Sequence, residues 1–177
     1  MTLQGRPPAG LVLVSGYTSI PDAAMAYPII PILYPLQGFS FARKFFRNIS
    51  SEKWENDITL ELGVKCPVLI VHGTSDFEIP VHHARTLFLK AMVGLSKQQN
   101  VRSPENLTMP PASWEKKGVY SGDHYTVNRV KNEADMWASK HIRDRVFLLE
   151  ITRAGHNNIH AFEIFQSVLA DFSRKQL

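Results

Sequence analysis

The stretch PVLIVHG at residues 67–73 decides the fold class, because it is a continuous apolar run that ends in a glycine. Strands buried on both faces of a parallel sheet have this composition, whereas half-exposed strands alternate between apolar and polar residues. Two further runs have the same character, LVLV at residues 11–14 and RVFLLEI at residues 145–151. The sequence therefore predicts about three buried, parallel strands.

Helical patterns separate the predicted strands. Pro21 is typical of a helix start, and apolar residues recur at helical spacing in residues 81–93 and 158–172. This alternation predicts an α/β class with right-handed crossovers and helices flanking the sheet. Residues 94–144 are polar, contain three prolines and show no sustained period, so we interpret them as a partly ordered insertion before the last strand.

Composition excludes several classes of protein. A chain of 177 residues with a net charge of +4 and scattered basic residues fits one globular core and does not predict nucleic-acid binding. The single Cys66 allows no intrachain disulfide and is interpreted as a buried hydrophobe. No signal peptide is predicted, and the apolar segment Tyr27–Leu36 is interrupted by prolines and far shorter than the roughly 20 residues of a spanning helix. No compartment is predicted.

Two short motifs follow predicted strands at the edge where catalytic groups collect in parallel sheets. Asp76 follows the second strand in HGTSD, and His156 follows the third in GHNN. A carboxylate from one loop can orient an imidazole from the other while the imidazole acts as a general base. Taken alone, Asp76 could instead be a turn or capping residue, and His156 a surface histidine.

The other histidines suggest no second site. His72 is interpreted as structural, and His82 and His83 as residues of the following helix that are exposed or packed. His156 and His160 have metal-ligand spacing but lack the intervening glutamate and a third ligand, so neither a metal nor a cofactor is predicted.

The strings PVLIVHGTSDFEIP and GHNNIH resemble the acid and histidine segments of α/β-hydrolases, and LVLVSGYTSI resembles the strand and loop that follow the nucleophile helix. Within that superfamily the sequence is most similar to ABHD12-like and Bem46-like serine hydrolases, which are often membrane-associated and cleave monoacylglycerols and lysophospholipids. The resemblance implies that residues 1–177 are the C-terminal part of such a domain, with residues 10–93 and 145–173 family-like and 94–144 inserted. It also implies that Asp76 is the acid and His156 the base.

The nucleophile of that family is missing. A serine on a G-x-S-x-G turn should precede the acid, and no such string occurs. Ser15 follows a strand but has Leu13 where the motif needs glycine. We therefore expect the chain to be inactive alone, with poor independent stability and an apolar edge exposed at the first strand. Truncation of the gene product or gene model would explain the missing serine.

The segment Tyr27–Phe46 combines aromatic and basic residues. Core packing under a lid is one interpretation, and peripheral membrane or acyl-chain contact is the other. The leading functional hypothesis is a lipid-like ester as substrate. The alternative is a non-catalytic α/β-hydrolase remnant that binds a lipid or a partner. The sequence predicts no oligomeric state.

Overall fold

The structure, a computed structural model, describes residues 8–27, 40–100, 107–111, 113–140 and 146–176. Most of the predicted membrane segment, residues 28–39, lies outside these ranges, as do Arg145 and the N-terminal residues 1–7. The helices are α1 (Ile20–Ala26), α2 (Ser40–Ile49), α3 (Asn56–Leu62), α4 (His82–Gln98), α5 (Trp114–Lys117) and α6 (Glu163–Gln176), with a 3₁₀ turn at Ile159–Ala161. The strands are β1 (Leu11–Val14), β2 (Val68–Gly73), β3 (Val119–Ser121), β4 (Tyr125–Val130), β5 (Ala134–Ser139) and β6 (Val146–Ile151).

The strands form one mixed sheet in the order β1-β2-β6-β5-β4-β3. β1, β2 and β6 are parallel, while β5, β4 and β3 extend the sheet beyond β6 as an antiparallel meander. The α/β class is confirmed, but the prediction of about three strands in a parallel sheet is wrong: the described residues form six strands in a mixed sheet. The three predicted strands form its parallel side.

β2 and β6 are buried because helices cover both faces of the sheet, whereas β1, at the edge, is not buried as predicted: its Val12 and Val14 are exposed. All six residues of β2 are buried. Because side chains alternate along a strand, Val68 and Ile70 pack in the core that includes α4, whereas Leu69 and Val71 pack with residues of α6. β2 therefore needs apolar residues at successive positions, which produced the uninterrupted run in the sequence.

The antiparallel strands lie within residues 94–144. They were missed because they carry polar residues: in β4 Tyr125 and Val127 are buried while Asn128 and Arg129 are exposed. The turn between β4 and β5 also lacks a glycine, although Lys131 and Asn132 both adopt positive φ angles, 50° and 57°. The hairpin of β4 and β5 therefore has neither a continuous apolar run nor a glycine in its turn, and these are the two features by which it could have been predicted.

The other predicted elements agree well with the structure. β1 has the predicted bounds, and α1 begins as predicted, with Pro21 in its first turn and Ser19 as a cap that accepts a hydrogen bond from the Asp22 N–H. α4 runs five residues past the predicted Val93, to Gln98. The helix predicted for residues 158–172 is divided at Phe162, which has an extended conformation, into the 3₁₀ turn and α6.

Candidate functional site

The acid loop follows β2 and holds the Asp76 side chain in one position. Oδ1 of Asp76 accepts hydrogen bonds from the N–H groups of Glu78 (3.0 Å) and Ile79 (2.8 Å). The side chain has no solvent exposure. Through Oδ1, Asp76 therefore makes the hydrogen bonds expected of a turn or capping residue. Its other carboxylate oxygen, Oδ2, is left for a different partner.

The histidine loop follows β6 and is tied to the acid loop through the backbone. The Ser75 N–H donates to the Ala154 carbonyl (2.9 Å), and the Thr74 N–H donates to the Ile151 carbonyl (3.0 Å). Gly73 makes this close approach feasible, because a Cβ atom there would lie 2.2 Å from the Ala154 carbonyl oxygen. The parallel pairing of β2 with β6 thus brings the two predicted site loops together.

Asp76 and His156 meet at this point. Nδ1 of His156 lies 2.9 Å from Oδ2 of Asp76, a hydrogen-bond distance. The imidazole is 29% exposed whereas the carboxylate is fully buried. No described residue hydrogen-bonds to Nε2 of His156, which leaves that nitrogen able to exchange a proton with another group. A buried carboxylate that orients a half-buried imidazole is the arrangement of a general base.

His72 lies beside the acid within the protein core. It is fully buried, and its Nε2 lies 2.7 Å from the Ile79 carbonyl oxygen, so Nε2 carries the proton and donates it. Burial lowers the pKa of His72, which keeps the ring neutral, although the Ile79 carbonyl and the Asp76 carboxylate oppose that effect. Nε2 is 3.5 Å from Oδ2 of Asp76, beyond a strong hydrogen bond. The structural role predicted for His72 agrees with this geometry.

Ser15 lies beside the pair without acting on the imidazole. It has a positive φ of 49°, and its hydroxyl donates to the main-chain carbonyl of His156 (3.2 Å). A nucleophile would instead hydrogen-bond to the ring nitrogen of the base. The contact between Ser15 and His156 was not predicted. It depends on the position of β1 next to β2 in the sheet, which the sequence does not indicate.

A cavity of about 310 Å³ opens between the β1–α1 loop and the helices. It is lined by Thr18, Asp22, Met25, Ala26, Arg47, Asp57, His82, His83 and Thr86. His83 is buried and its Nδ1 accepts a hydrogen bond from the Thr18 N–H (3.3 Å), which anchors the loop that leaves β1 to α4. The prediction that His82 and His83 lie on the following helix is confirmed; His82 is exposed and His83 is packed.

Within the described ranges, no group of three or more histidine, cysteine, aspartate or glutamate side chains is arranged to hold a metal ion. In the same part of the chain, no helix is long and apolar enough to cross a membrane.

Comparison with known proteins gives a partial match. No family model matches the chain. Lysophosphatidylserine lipase ABHD12 of Rattus norvegicus is 33% identical to it over 84 residues, which are 46% of this chain and 20% of the lipase. The lipases of the same name from Xenopus tropicalis and Danio rerio are 33% and 31% identical over 85 and 90 residues. The match covers 46% and 48% of this chain, and 21% and 22% of those proteins, respectively. The chain thus matches about a fifth of the length of these relatives. The predicted resemblance to α/β-hydrolases that act on lipids is supported over about half of the chain.

Proposed function

We propose that this chain supplies the acid, Asp76, and the general base, His156, of a serine hydrolase that cleaves lipid-like esters of the monoacylglycerol or lysophospholipid type. The observation that carries the proposal is the 2.9 Å contact between Nδ1 of His156 and the buried Oδ2 of Asp76. The two residues come from loops at the carboxyl ends of parallel strands, where catalytic groups of α/β proteins lie.

The geometry supports one direction of proton transfer. With its Nδ1–H donated to Asp76, the imidazole has its lone pair on Nε2 and can remove a proton from a serine hydroxyl. The carboxylate then stabilises the imidazolium that forms, because the charges are close and Asp76 is excluded from water. The same imidazolium returns the proton to the leaving alcohol when the ester bond breaks.

The substrate class rests on the relatives. The proteins similar to about half of this chain are lipases of lysophosphatidylserine. The cavity between the β1–α1 loop and α4 borders the same end of the sheet and contains both apolar and charged side chains. Such a lining suits an amphipathic ester better than a fully polar substrate.

The serine must come from outside these residues, since the 177 residues contain no G-x-S-x-G turn. We expect the purified chain to hydrolyse neither monoacylglycerol nor lysophosphatidylserine at a measurable rate, because loss of a triad nucleophile costs on the order of 10⁶ in turnover. A fluorophosphonate probe checks this. Strong labelling that disappears when Ser15 is replaced by alanine would contradict the expected inactivity.

A chimera tests the proposed roles directly. Residues 8–176 would replace the part of the rat lysophosphatidylserine lipase that contains the 84 aligned residues, and lysophosphatidylserine hydrolysis would be measured. We expect activity in the chimera, a loss of about 10⁴-fold in Asp76→Asn and about 10⁶-fold in His156→Gln.

His160→Gln is the matched control, because His160 is an exposed histidine next to the same loop. It should leave hydrolysis unchanged. An active chimera in which His156→Gln has no more effect than His160→Gln would refute the assignment of His156 as the base. A chimera that is folded by circular dichroism but inactive would count against the hydrolase proposal itself.

A further inference from the structure

His72 is the one polar side chain of β2, a strand that is buried at all six positions. The imidazole is 0% exposed, and its Nδ1 has no hydrogen-bond partner among the described residues. Burying a polar atom without a partner lowers the stability of a fold, so an apolar residue would suit this position better if packing were its only role. The presence of an imidazole therefore indicates a role for its other nitrogen, Nε2.

The neighbour of His72 on the sheet does not explain the imidazole. His72 lies opposite Glu150 in the parallel register of β2 and β6, and both side chains are buried. The two carboxylate oxygens of Glu150 accept hydrogen bonds from Arg85, at 2.6 and 2.8 Å. The hydrogen bond of His72 leads to the acid loop instead, as does its close approach to Asp76.

Ile79 links His72 to Asp76 through two hydrogen bonds. The Nε2–H of His72 donates to the Ile79 carbonyl (2.7 Å), and the Ile79 N–H donates to Oδ1 of Asp76 (2.8 Å). Burial lowers the pKa of His72, so the ring is neutral and carries a single proton, which the short contact with a carbonyl places on Nε2. The same nitrogen lies 3.5 Å from Oδ2 of Asp76, the oxygen that contacts His156.

We propose that His72 is a positioning residue of the candidate site, which holds the Ile79 carbonyl so that Oδ2 of Asp76 stays directed at Nδ1 of His156. It acts only through the acid loop. Without its N–H the turn around Asp76 loosens, and His156 loses the fixed acceptor that selects its tautomer. The inference rests on the proposed function for its catalytic meaning, whereas the geometry of the pair can be measured without hydrolysis.

The tautomer of His156 reports the contact with Asp76. A carboxylate at Nδ1 selects the form of the neutral ring that has its proton on Nδ1. Long-range proton–nitrogen correlation spectra of the 177-residue chain measure the ratio of the two tautomers at about pH 8, above the ordinary histidine pKa. We expect the Nδ1–H form to predominate in the unchanged chain. In His72→Leu the ratio should fall about fivefold, which is the effect of losing one ordinary hydrogen bond.

His72→Gln is the conservative variant, because its amide nitrogen is separated from Cβ by as many bonds as Nε2 of histidine and can donate to the Ile79 carbonyl. It should keep the tautomer ratio within about twofold of that of the unchanged chain. If His72→Leu is unfolded by circular dichroism, His72→Asn takes its place, since the shorter amide does not reach Ile79.

Ser96→Ala is the matched control, because Ser96 is 1% exposed and its hydroxyl donates within α4, to the Met92 carbonyl (2.8 Å). This variant removes a buried polar group away from the acid loop, so the tautomer ratio of His156 should not change.

The same variants in the chimera relate the position of Asp76 to turnover. His72→Leu should lower kcat about tenfold with KM unchanged, and His72→Gln should recover most of the loss. The proposal is overturned if the folded His72→Leu or His72→Asn chain keeps the tautomer ratio of Ser96→Ala, or if His72→Gln loses as much as His72→Leu. It is also overturned if a chimera with a shifted ratio turns over like the control. An inactive chimera would count against the proposed function alone, because the tautomer ratio still decides what His72 does.

Discussion

The two sides of the sheet are built from different kinds of strand. On the parallel side, β2 is buried at every position and β6 at all but one, and both of their following loops contribute to the candidate site. On the antiparallel side, β3 buries none of its residues and β4 only Tyr125 and Val127, and an aromatic cluster covers one face. The parallel side thus holds the Asp76–His156 pair, and the antiparallel side holds much of the packing that borders β6.

β6 joins the two sides, since it pairs with β2 in parallel and with β5 in antiparallel register. Because the loop of His156 follows β6, the position of His156 also depends on the antiparallel strands that pair with β6. Residues of those strands take no part in the proposed reaction. The comparison predicts that substitutions in the antiparallel side lower the stability of the whole domain, whereas substitutions in the site loops act mainly on the position of Asp76 and His156.

The largest expected effect is that of Trp137→Ala in β5. Trp137 is 1% exposed and its ring lies 5.5 Å from that of Tyr125 and 5.8 Å from that of Phe88. Removing a buried indole costs about 3–5 kcal/mol in the free energy of unfolding. Urea unfolding followed by circular dichroism measures the loss. Val119→Ala, at an exposed position, should cost less than about 0.5 kcal/mol. An intact parallel side that unfolds in a separate second step would show that the two sides are independent.

The next effect is that of Arg85→Met, which removes a contact across the two sides. Arg85 forms two hydrogen bonds to Glu150 of β6, at 2.6 and 2.8 Å, and its guanidinium lies over Trp137 at 5.5 Å. Leaving a buried carboxylate without its cation costs about 3 kcal/mol. Lys90→Met removes the partly exposed ion pair with Glu61 and should cost less than about 1 kcal/mol. Thermal melting compares the two.

The pH dependence of the Arg85→Met loss has a definite sign. Burial raises the pKa of Glu150, and the hydrogen bonds from Arg85 oppose that rise. A raised carboxyl pKa stabilises the folded state below the unfolded value near 4.5, and this contribution is lost as the pH rises through the folded value. The variant should therefore lose less stability at acid pH than at pH 7. An equal loss at both pH values would contradict a charged, buried Glu150.

The difference between the two sides of the sheet explains which strands and which site residues could be predicted from the sequence. Continuous apolar runs mark β1, β2 and β6, so these strands were found, and with them the loops of Asp76 and His156, although β1 is only partly buried at the edge of the sheet. β4 buries only Tyr125 and Val127 and so has no continuous apolar run, and its turn to β5 has positive φ angles at Lys131 and Asn132, which are not glycines. The pair of Glu150 and Arg85 was not predicted, because a carboxylate within an apolar run gives no sign of its partner.

A smaller effect is expected from glycine substitutions at the end of β2 and in the histidine loop. Gly73→Ala places a Cβ atom 2.2 Å from the Ala154 carbonyl oxygen, whereas a Cβ atom at Gly155 would have no neighbour closer than 3.7 Å. Gly73→Ala should cost about 2 kcal/mol, because the loops must move apart. Gly155→Ala should change stability by less than about 0.5 kcal/mol. Equal melting temperatures of the two variants would mean that the loops are not in tight contact.

The smallest expected effect is the contribution of His72 to the pH dependence of stability. Burial lowers the pKa of His72 from the usual histidine value near 6.5, so the unfolded state binds a proton more readily than the folded state. The contribution of the neutral ring is present above pH 6.5 and is lost as the pH falls through the lower, folded value. Melting temperatures between pH 7 and pH 5 should decline more steeply for the unchanged protein than for His72→Gln. The exposed His160→Gln serves as the control, and a His72→Gln slope as steep as that of this control would refute the assignment.

The strand order also sets the order in which the domain assembles. β3, β4, β5 and β6 pair with neighbours that are close along the chain, whereas β1 and β2 pair Leu11 with Val68, and β2 and β6 pair Val68 with Val146. Closing long loops is slow, so we expect the antiparallel hairpins to form early and the parallel pairings late. Pulse-labelling hydrogen exchange during refolding should protect amides of β4 and β5 before those of β1. The Asp76–His156 contact would then form in the last stage of folding, when β2 docks against β6.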